Sequence, residues 1–127
     1  MIAAVIHLSP ATVDMGCLRA VPGSHRIGRR PSTSGRTIWD DPDEFAAFSA
    51  RYPLEEATPF EAEPGDVLFF SYLTVHGSGP NRSSDPRRTV LTQLFSGRDR
   101  LDPSSEHPVS GLVLRGRNHH ATRNSVS

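Results

Sequence analysis

The feature that most limits this chain is the spacing of its breakers: 11 prolines and 10 glycines stand among 127 residues, scattered between short apolar runs. Proline removes a backbone donor and glycine favours turns, so such interruptions end helices sooner than strands. A helical bundle is excluded, and an all-β or β-rich domain with frequent turns is expected. Ala3 to Leu8 reads as a first strand and Cys17 to Val21 as a second. Pro22-Gly23 then supplies a pair suited to the centre of a type II turn, and Pro64-Gly65 repeats the signal just before Asp66 to Tyr72. That run, Asp-Val-Leu-Phe-Phe-Ser-Tyr, is apolar enough to predict a strand covered on both faces.

One helix is legible. Asp41-Pro42-Asp43-Glu44 combines an N-cap, a proline at the first helical position, acidic residues in the first turn and a capping-box glutamate. The segment 41–52 carries Phe45, Phe48 and Tyr52 on one stripe, expected to pack on a sheet, and Pro53 ends it. Thr58 to Glu63 alternates Phe60 and Ala62 with two glutamates, as a strand with one wet face does. Arg87 to Phe95 is a further strand, with Arg87, Thr89, Leu91 and Gln93 on one face and Arg88, Val90, Thr92 and Leu94 on the other. Leu73 to Pro86 and the arginine-rich Arg26 to Arg36 read as loops, the second able to act as a lid, and Leu112-Val113-Leu114 as a small strand. The expected organisation is one domain over 1–97 and a partly disordered extension over 98–127.

Composition closes several functional classes. Fourteen basic residues balance fourteen acidic ones, without a basic run, so neither nucleic acid nor an anionic membrane is expected as partner and the expected ligand is a small molecule. Every basic residue is arginine, which removes Schiff-base catalysis and a lysine-dependent phosphate loop. A single cysteine, Cys17, cannot make an internal disulfide and suits a reducing compartment. Ile2 to Ile6 is too short for a signal peptide or a membrane span, so a cytoplasmic location is expected.

Three segments carry chemistry: Gly16-Cys17-Leu18-Arg19-Ala20-Val21-Pro22-Gly23-Ser24-His25, then Glu63-Pro64-Gly65-Asp66-Val67-Leu68-Phe69-Phe70, then His76-Gly77-Ser78-Gly79-Pro80-Asn81-Arg82-Ser83 followed by Arg87. In this order, over roughly residues 3 to 95, they closely resemble the phytanoyl-CoA dioxygenase family of Fe(II)- and 2-oxoglutarate-dependent oxygenases. The resemblance implies a double-stranded β-helix, or jelly roll of cupin type, in which two histidines and a carboxylate hold iron while 2-oxoglutarate and O2 fill the remaining positions. It implies His76 as the distal iron histidine, Arg87 as the residue receiving the far carboxylate of 2-oxoglutarate, and Ser78 as a hydroxyl to the same co-substrate. No further catalytic side chain is assigned. The chemistry of these residue types agrees: a neutral imidazole suits Fe(II), and guanidinium offers a planar two-pronged donor for a carboxylate. His76 follows a buried strand and Arg87 opens the next, which is expected to bring both to one barrel mouth.

The sequence also departs from the family pattern. The first two iron ligands belong to a His-x-Asp motif expected shortly before the strand matching Ala3 to Leu8, and none of His7, His25, His76, His107, His119 or His120 is followed two residues on by Asp or Glu. Met15 stands where an asparagine is usual, which is expected to weaken the turn there. These departures predict a truncated member with an incomplete barrel, prone to self-association through exposed strand edges. Two other readings remain: a non-catalytic jelly-roll module binding small carboxylates, and a different cupin-type metal site built from His7, His76 and a carboxylate such as Asp14. His7 itself reads as an interior histidine with its hydrogen bonds satisfied, and His25 as a structural residue at a turn exit.

Overall fold

A computed structural model describes residues 1–28, 41–98 and 113–116. Six strands, one α-helix and two short 3-10 turns make up these residues, and the strands form two antiparallel three-stranded sheets. In the first sheet β1 (Ile2–His7) lies between β4 (Val67–Ser71) and β6 (Thr89–Leu94). In the second, β2 (Leu18–Ala20) lies between β3 (Thr58–Phe60) and β5 (His76–Ser78). The β-rich architecture expected from the breakers is therefore present, with one short helix, α1 (Pro42–Arg51), and its two antiparallel sheets agree with the cupin-like fold that the resemblance implies.

Burial concentrates on the two central strands. Ala3, Ala4 and Val5 of β1 and Ala20 of β2 are buried, together with Ala11, Met15, Cys17 and Ala57. Small residues serve the centre of a sheet because their larger cross-strand neighbours cover them: Ala4 pairs with Phe69 on one side and Thr92 on the other. Both proline–glycine turns form as expected. Gly23 and Gly65 take positive φ, and the turn bonds run from Ser24 N–H to Val21 C=O and from Asp66 N–H to Glu63 C=O. The cap of α1 also forms, Asp41 accepting from the N–H groups of Asp43 and Glu44.

Several expectations are corrected. Strand β4 is not covered on both faces, since Val67 and Phe69 are 43% and 62% exposed; its apolar run has a covered side, toward the second sheet, and an open one. Helix α1 buries none of its residues, and Phe48 contacts Tyr52 along the helix instead of a sheet. An apolar stripe identifies a side of a helix but not what lies opposite it. The segment expected as one loop from Leu73 to Pro86 contains β5, whose pairing with β2 is too short to leave a periodic signal. Val113 and Leu114 are not in a strand, and Arg26 and Ile27 belong to a 3-10 turn. The remainder of the proposed lid, 29–36, and nearly all of the 98–127 extension lie outside the described residues.

The two sheets are tied together by the loop between β1 and β2. Thr12 accepts from Cys17 N–H through its carbonyl and from Met15 N–H through its hydroxyl, and Val13 C=O accepts from Gly16 N–H, so the turn closes without asparagine and buries Met15. Gly16 has φ +69°, and a Cβ there would be driven into the carbonyl oxygen of Gly79, with that of Pro80 only 2.9 Å away. Both the backbone angle and the backbone neighbour demand glycine. Gly16→Ala is therefore expected to lower unfolding stability by about 2 kcal/mol or more, whereas Gly79→Ala, whose Cβ meets nothing within 4 Å, should change it by less than about 1 kcal/mol. Urea denaturation of the two variants checks this, and equal losses would contradict it.

Candidate functional site

Alternation along the ladders decides which side chains face the space between the sheets. In β1, Ala3, Val5 and His7 share a face with Phe70 and Leu68 of β4 and with Gln93, Leu91 and Thr89 of β6. In β2, Leu18 and Ala20 share one with Ser78 and His76 of β5 and with Phe60 and Thr58 of β3. The ring of Phe70 meets that of His76 with centroids 4.6 Å apart, so these two faces look at each other. His76 and Ser78 thus belong to the inner face of the second sheet.

His76 is oriented by its own strand entry. Its Nδ1 lies 2.7 Å from the carbonyl oxygen of Thr74, and since a carbonyl only accepts, the Nδ1 position carries the proton. The neutral ring then presents the lone pair of Nε2, the form in which imidazole binds metals or accepts a proton. Ser78 is exposed, and its hydroxyl has no partner among the described residues.

Arg87 approaches from the facing sheet. The backbone bond from Leu8 N–H to Arg88 C=O extends the β1–β6 ladder one step beyond Thr89, which keeps Arg87 on the inner face and Arg88 on the outer one. Arg87 is half-buried, and its Nε donates to the carbonyl of Met15 at 3.2 Å. The two terminal nitrogens have no partner among the described residues, so the two-pronged edge of the guanidinium remains available. The contact with Met15 was not foreseeable from residue types, because a backbone carbonyl has no signature in a sequence.

The two residues start from different rows of the ladders. His76 rests against Phe70, in the row of Ala3 and Gln93, whereas Arg87 enters beyond the row of His7 and Thr89. Those rows are separated along β1 by four residues, about 13 Å of strand. Their backbones therefore enter the intersheet space from different rows. A separate surface hollow of about 210 Å³ lies near Arg19, on the outer side of the second sheet, lined also by Asp14, Leu54, Glu55 and Arg82.

Two further expectations change here. His7 faces the interior as expected, at 1% exposure, but neither ring nitrogen has a hydrogen-bond partner. An unmet buried polar group costs about 1–3 kcal/mol, which makes this ring the least satisfied group of the core. No group of three His, Cys, Asp or Glu side chains able to hold a metal occurs among the described residues, so the set of His7, His76 and Asp14 is not assembled. The described residues therefore do not by themselves bring together the two imidazoles and the carboxylate of such an iron centre. His25 is exposed, and its carbonyl accepts from Gly28 N–H at the end of the 3-10 turn. Among the described residues, no helix is long and apolar enough to cross a membrane.

Comparison with known proteins gives the same direction. The family description "Phytanoyl-CoA dioxygenase (PhyH)" matches residues 1–89. Dioxygenase FrzG of Cladobotryum sp is 34% identical over 103 residues, covering 81% of this chain and 30% of that protein. Phytanoyl-CoA dioxygenase 1 of Oryza sativa subsp. japonica is 36% identical over 89 residues, covering 69% of this chain and 30% of that protein. The crystal structure of AviO1 from Streptomyces viridochromogenes Tue57 superposes with a TM-score of 0.50 at 33% identity, over 71% of this chain and 34% of that one. The chain thus spans about a third or less of the length of the relatives it matches.

The tautomer of His76 is open to direct measurement. Long-range nitrogen-15 NMR on the neutral ring is expected to find the proton on Nδ1, and Thr74→Pro, which removes the Thr74 N–H bond to Ser71 C=O that anchors the accepting carbonyl, should shift the population toward the Nε2 form. A wild-type ring protonated at Nε2 would contradict the assignment.

Proposed function

The chain belongs to the phytanoyl-CoA dioxygenase family, whose named members here are dioxygenases, and on that premise we propose that it serves an Fe(II)- and 2-oxoglutarate-dependent dioxygenase by holding 2-oxoglutarate through Arg87 and Ser78. The observation that carries the reading is Arg87: a guanidinium fixed at Nε by Met15, whose terminal nitrogens have no partner among the described residues. A carboxylate accepts two parallel bonds from such an edge. Fixing Nε beforehand lowers the side-chain entropy lost on binding.

Ser78 supports the same reading from the facing sheet, as a hydroxyl without another partner among the described residues. The far carboxylate is thereby held between the sheets while the keto-acid end extends toward the row of His76, whose Nε2 lone pair is directed by Thr74. In the family reaction 2-oxoglutarate is decarboxylated to succinate while one oxygen atom of O2 enters a carbon–hydrogen bond of a small-molecule substrate. An iron centre needs two ligands that the described residues do not supply, so no step through iron is assigned to this chain. A second reading follows from the same observation: the arginine site works as a small-carboxylate module whether or not metal is held.

The test is a comparison of neighbours. Arg87→Lys is expected to weaken 2-oxoglutarate binding by about 1.5–3 kcal/mol, the worth of a charged paired hydrogen bond, while Arg88→Lys, on the outer face, should leave it within about 0.5 kcal/mol. Calorimetric titration of both variants decides it. Equal effects would remove the assignment of Arg87, and succinate formation upon adding Fe(II) would separate the catalytic reading from the module reading.

A further inference from the structure

The turn at Pro22-Gly23 carries a buried hydroxyl, that of Ser24. This residue is 3% exposed, and its Oγ accepts from Val75 N–H at 2.8 Å, across 51 residues of sequence. The bond stands where the ladder between β2 and β5 breaks off. Ala20 pairs with His76, and one step further Val21 N–H donates to Val75 C=O at 2.9 Å. A regular antiparallel pair would return a bond from Val75 N–H to Val21 C=O. Here that carbonyl accepts from Ser24 N–H instead, closing the turn, and the Ser24 hydroxyl takes up the donor that the turn displaces. An alanine at this position would take that acceptor away from Val75 N–H.

That donor is coupled to the site through the backbone. Val75 N–H and Thr74 C=O belong to one peptide unit, which is planar and trans, so the two groups point in opposite directions within one plane. Thr74 C=O is the acceptor 2.7 Å from His76 Nδ1. Pinning one end of the unit to Ser24 therefore sets the direction of the carbonyl at the other. Thr74 N–H, bonded to Ser71 C=O at 2.8 Å, holds the residue from the opposite side. A hydrogen bond at the N–H also polarises the unit and makes its carbonyl a stronger acceptor.

We propose that Ser24 is a positioning residue for His76: by holding Val75 N–H it aims the Thr74 carbonyl at Nδ1, and so keeps the lone pair of Nε2 presented. The inference rests on the orientation of His76 given above and adds to it a residue from a turn distant in sequence, acting through the backbone. It also gives the Pro-Gly-Ser-His segment a task, since the buried serine and not the exposed His25 connects that turn to the site.

The test reads the His76 ring of the full chain by long-range nitrogen-15 NMR at a pH where the ring is neutral. Ser24→Ala is expected to lower the ratio of Nδ1–H to Nε2–H forms about threefold or more, and to speed hydrogen exchange of the Val75 amide about tenfold. Ser24→Thr, which keeps the hydroxyl, should recover the wild-type ratio. Ser24→Cys, close in volume but a weaker acceptor, should fall between, and it decides the matter should the alanine variant not fold. Asp41→Ala, which removes the cap of α1 and weakens the fold elsewhere, should leave the ratio unchanged. A serine with a structural role alone would speed exchange at Val75 without moving the tautomer. An unchanged ratio in Ser24→Ala, or in Ser24→Cys where alanine does not fold, therefore overturns the proposal while the orientation of His76 stands. A shift in Asp41→Ala equal to that in Ser24→Ala overturns it as well. A wild-type ring carrying its proton on Nε2 takes down both.

Discussion

The fold hangs on the close approach of two stretches of backbone, Gly16 against Gly79 and Pro80. No side chain fits between them, and glycine also supplies the positive φ that the turn requires. Because of this contact the loop leaving β1 lies across the loop leaving β5, and Arg82 N–H donates to Asp14 C=O at 2.8 Å to hold it there. The same geometry brings the carbonyl of Met15 to Arg87. A turn made of local bonds in residues 12–17 thus sets the position of the Arg87 guanidinium.

The rest of the site follows from pairing. Strand β1 is the centre of one sheet and β2 the centre of the other, with Ala3 and Val5 buried in the first and Ala20 in the second. His76 rests on Phe70 in the row of Ala3, and Arg87 enters beyond the row of His7 and Thr89. An elongated ligand with unlike ends matches this arrangement better than a compact one, since a metal-binding or proton-accepting nitrogen and an anion-binding guanidinium start from different rows.

Much of this was legible in the amino-acid sequence, for identifiable reasons. The Pro22-Gly23 and Pro64-Gly65 turns and the Asp41 cap are encoded by residues whose backbone preferences act locally, and they form where expected. The alternation expected from Arg87 to Phe95 is present as a ladder only from Thr89 to Leu94, and Arg87 lies two residues before it. What the sequence concealed depended on partners distant along the chain. The run in β4 gives no hint that one of its sides stays open, and the stripe of α1 does not say that no sheet receives it. Three-residue β5 is too brief for any period, and its existence depends on Leu18 to Ala20 offering a ladder. The unmet ring of His7 was misjudged for the same reason: residue type shows that a histidine will be buried in a strand, but only the register shows which groups fail to reach it.

The central claim is that a dicarboxylate lies between the two sheets, its far end on Arg87 and its keto-acid end toward His76. An experimental structure of the chain with 2-oxoglutarate bound measures this directly. The account requires the far carboxylate to accept from the terminal nitrogens of Arg87 and from Ser78, with the ligand running along the interior toward the Phe70 row. Density for the ligand in the outer hollow near Arg19 and Arg82, with Arg87 still bonded to Met15 alone, would contradict it.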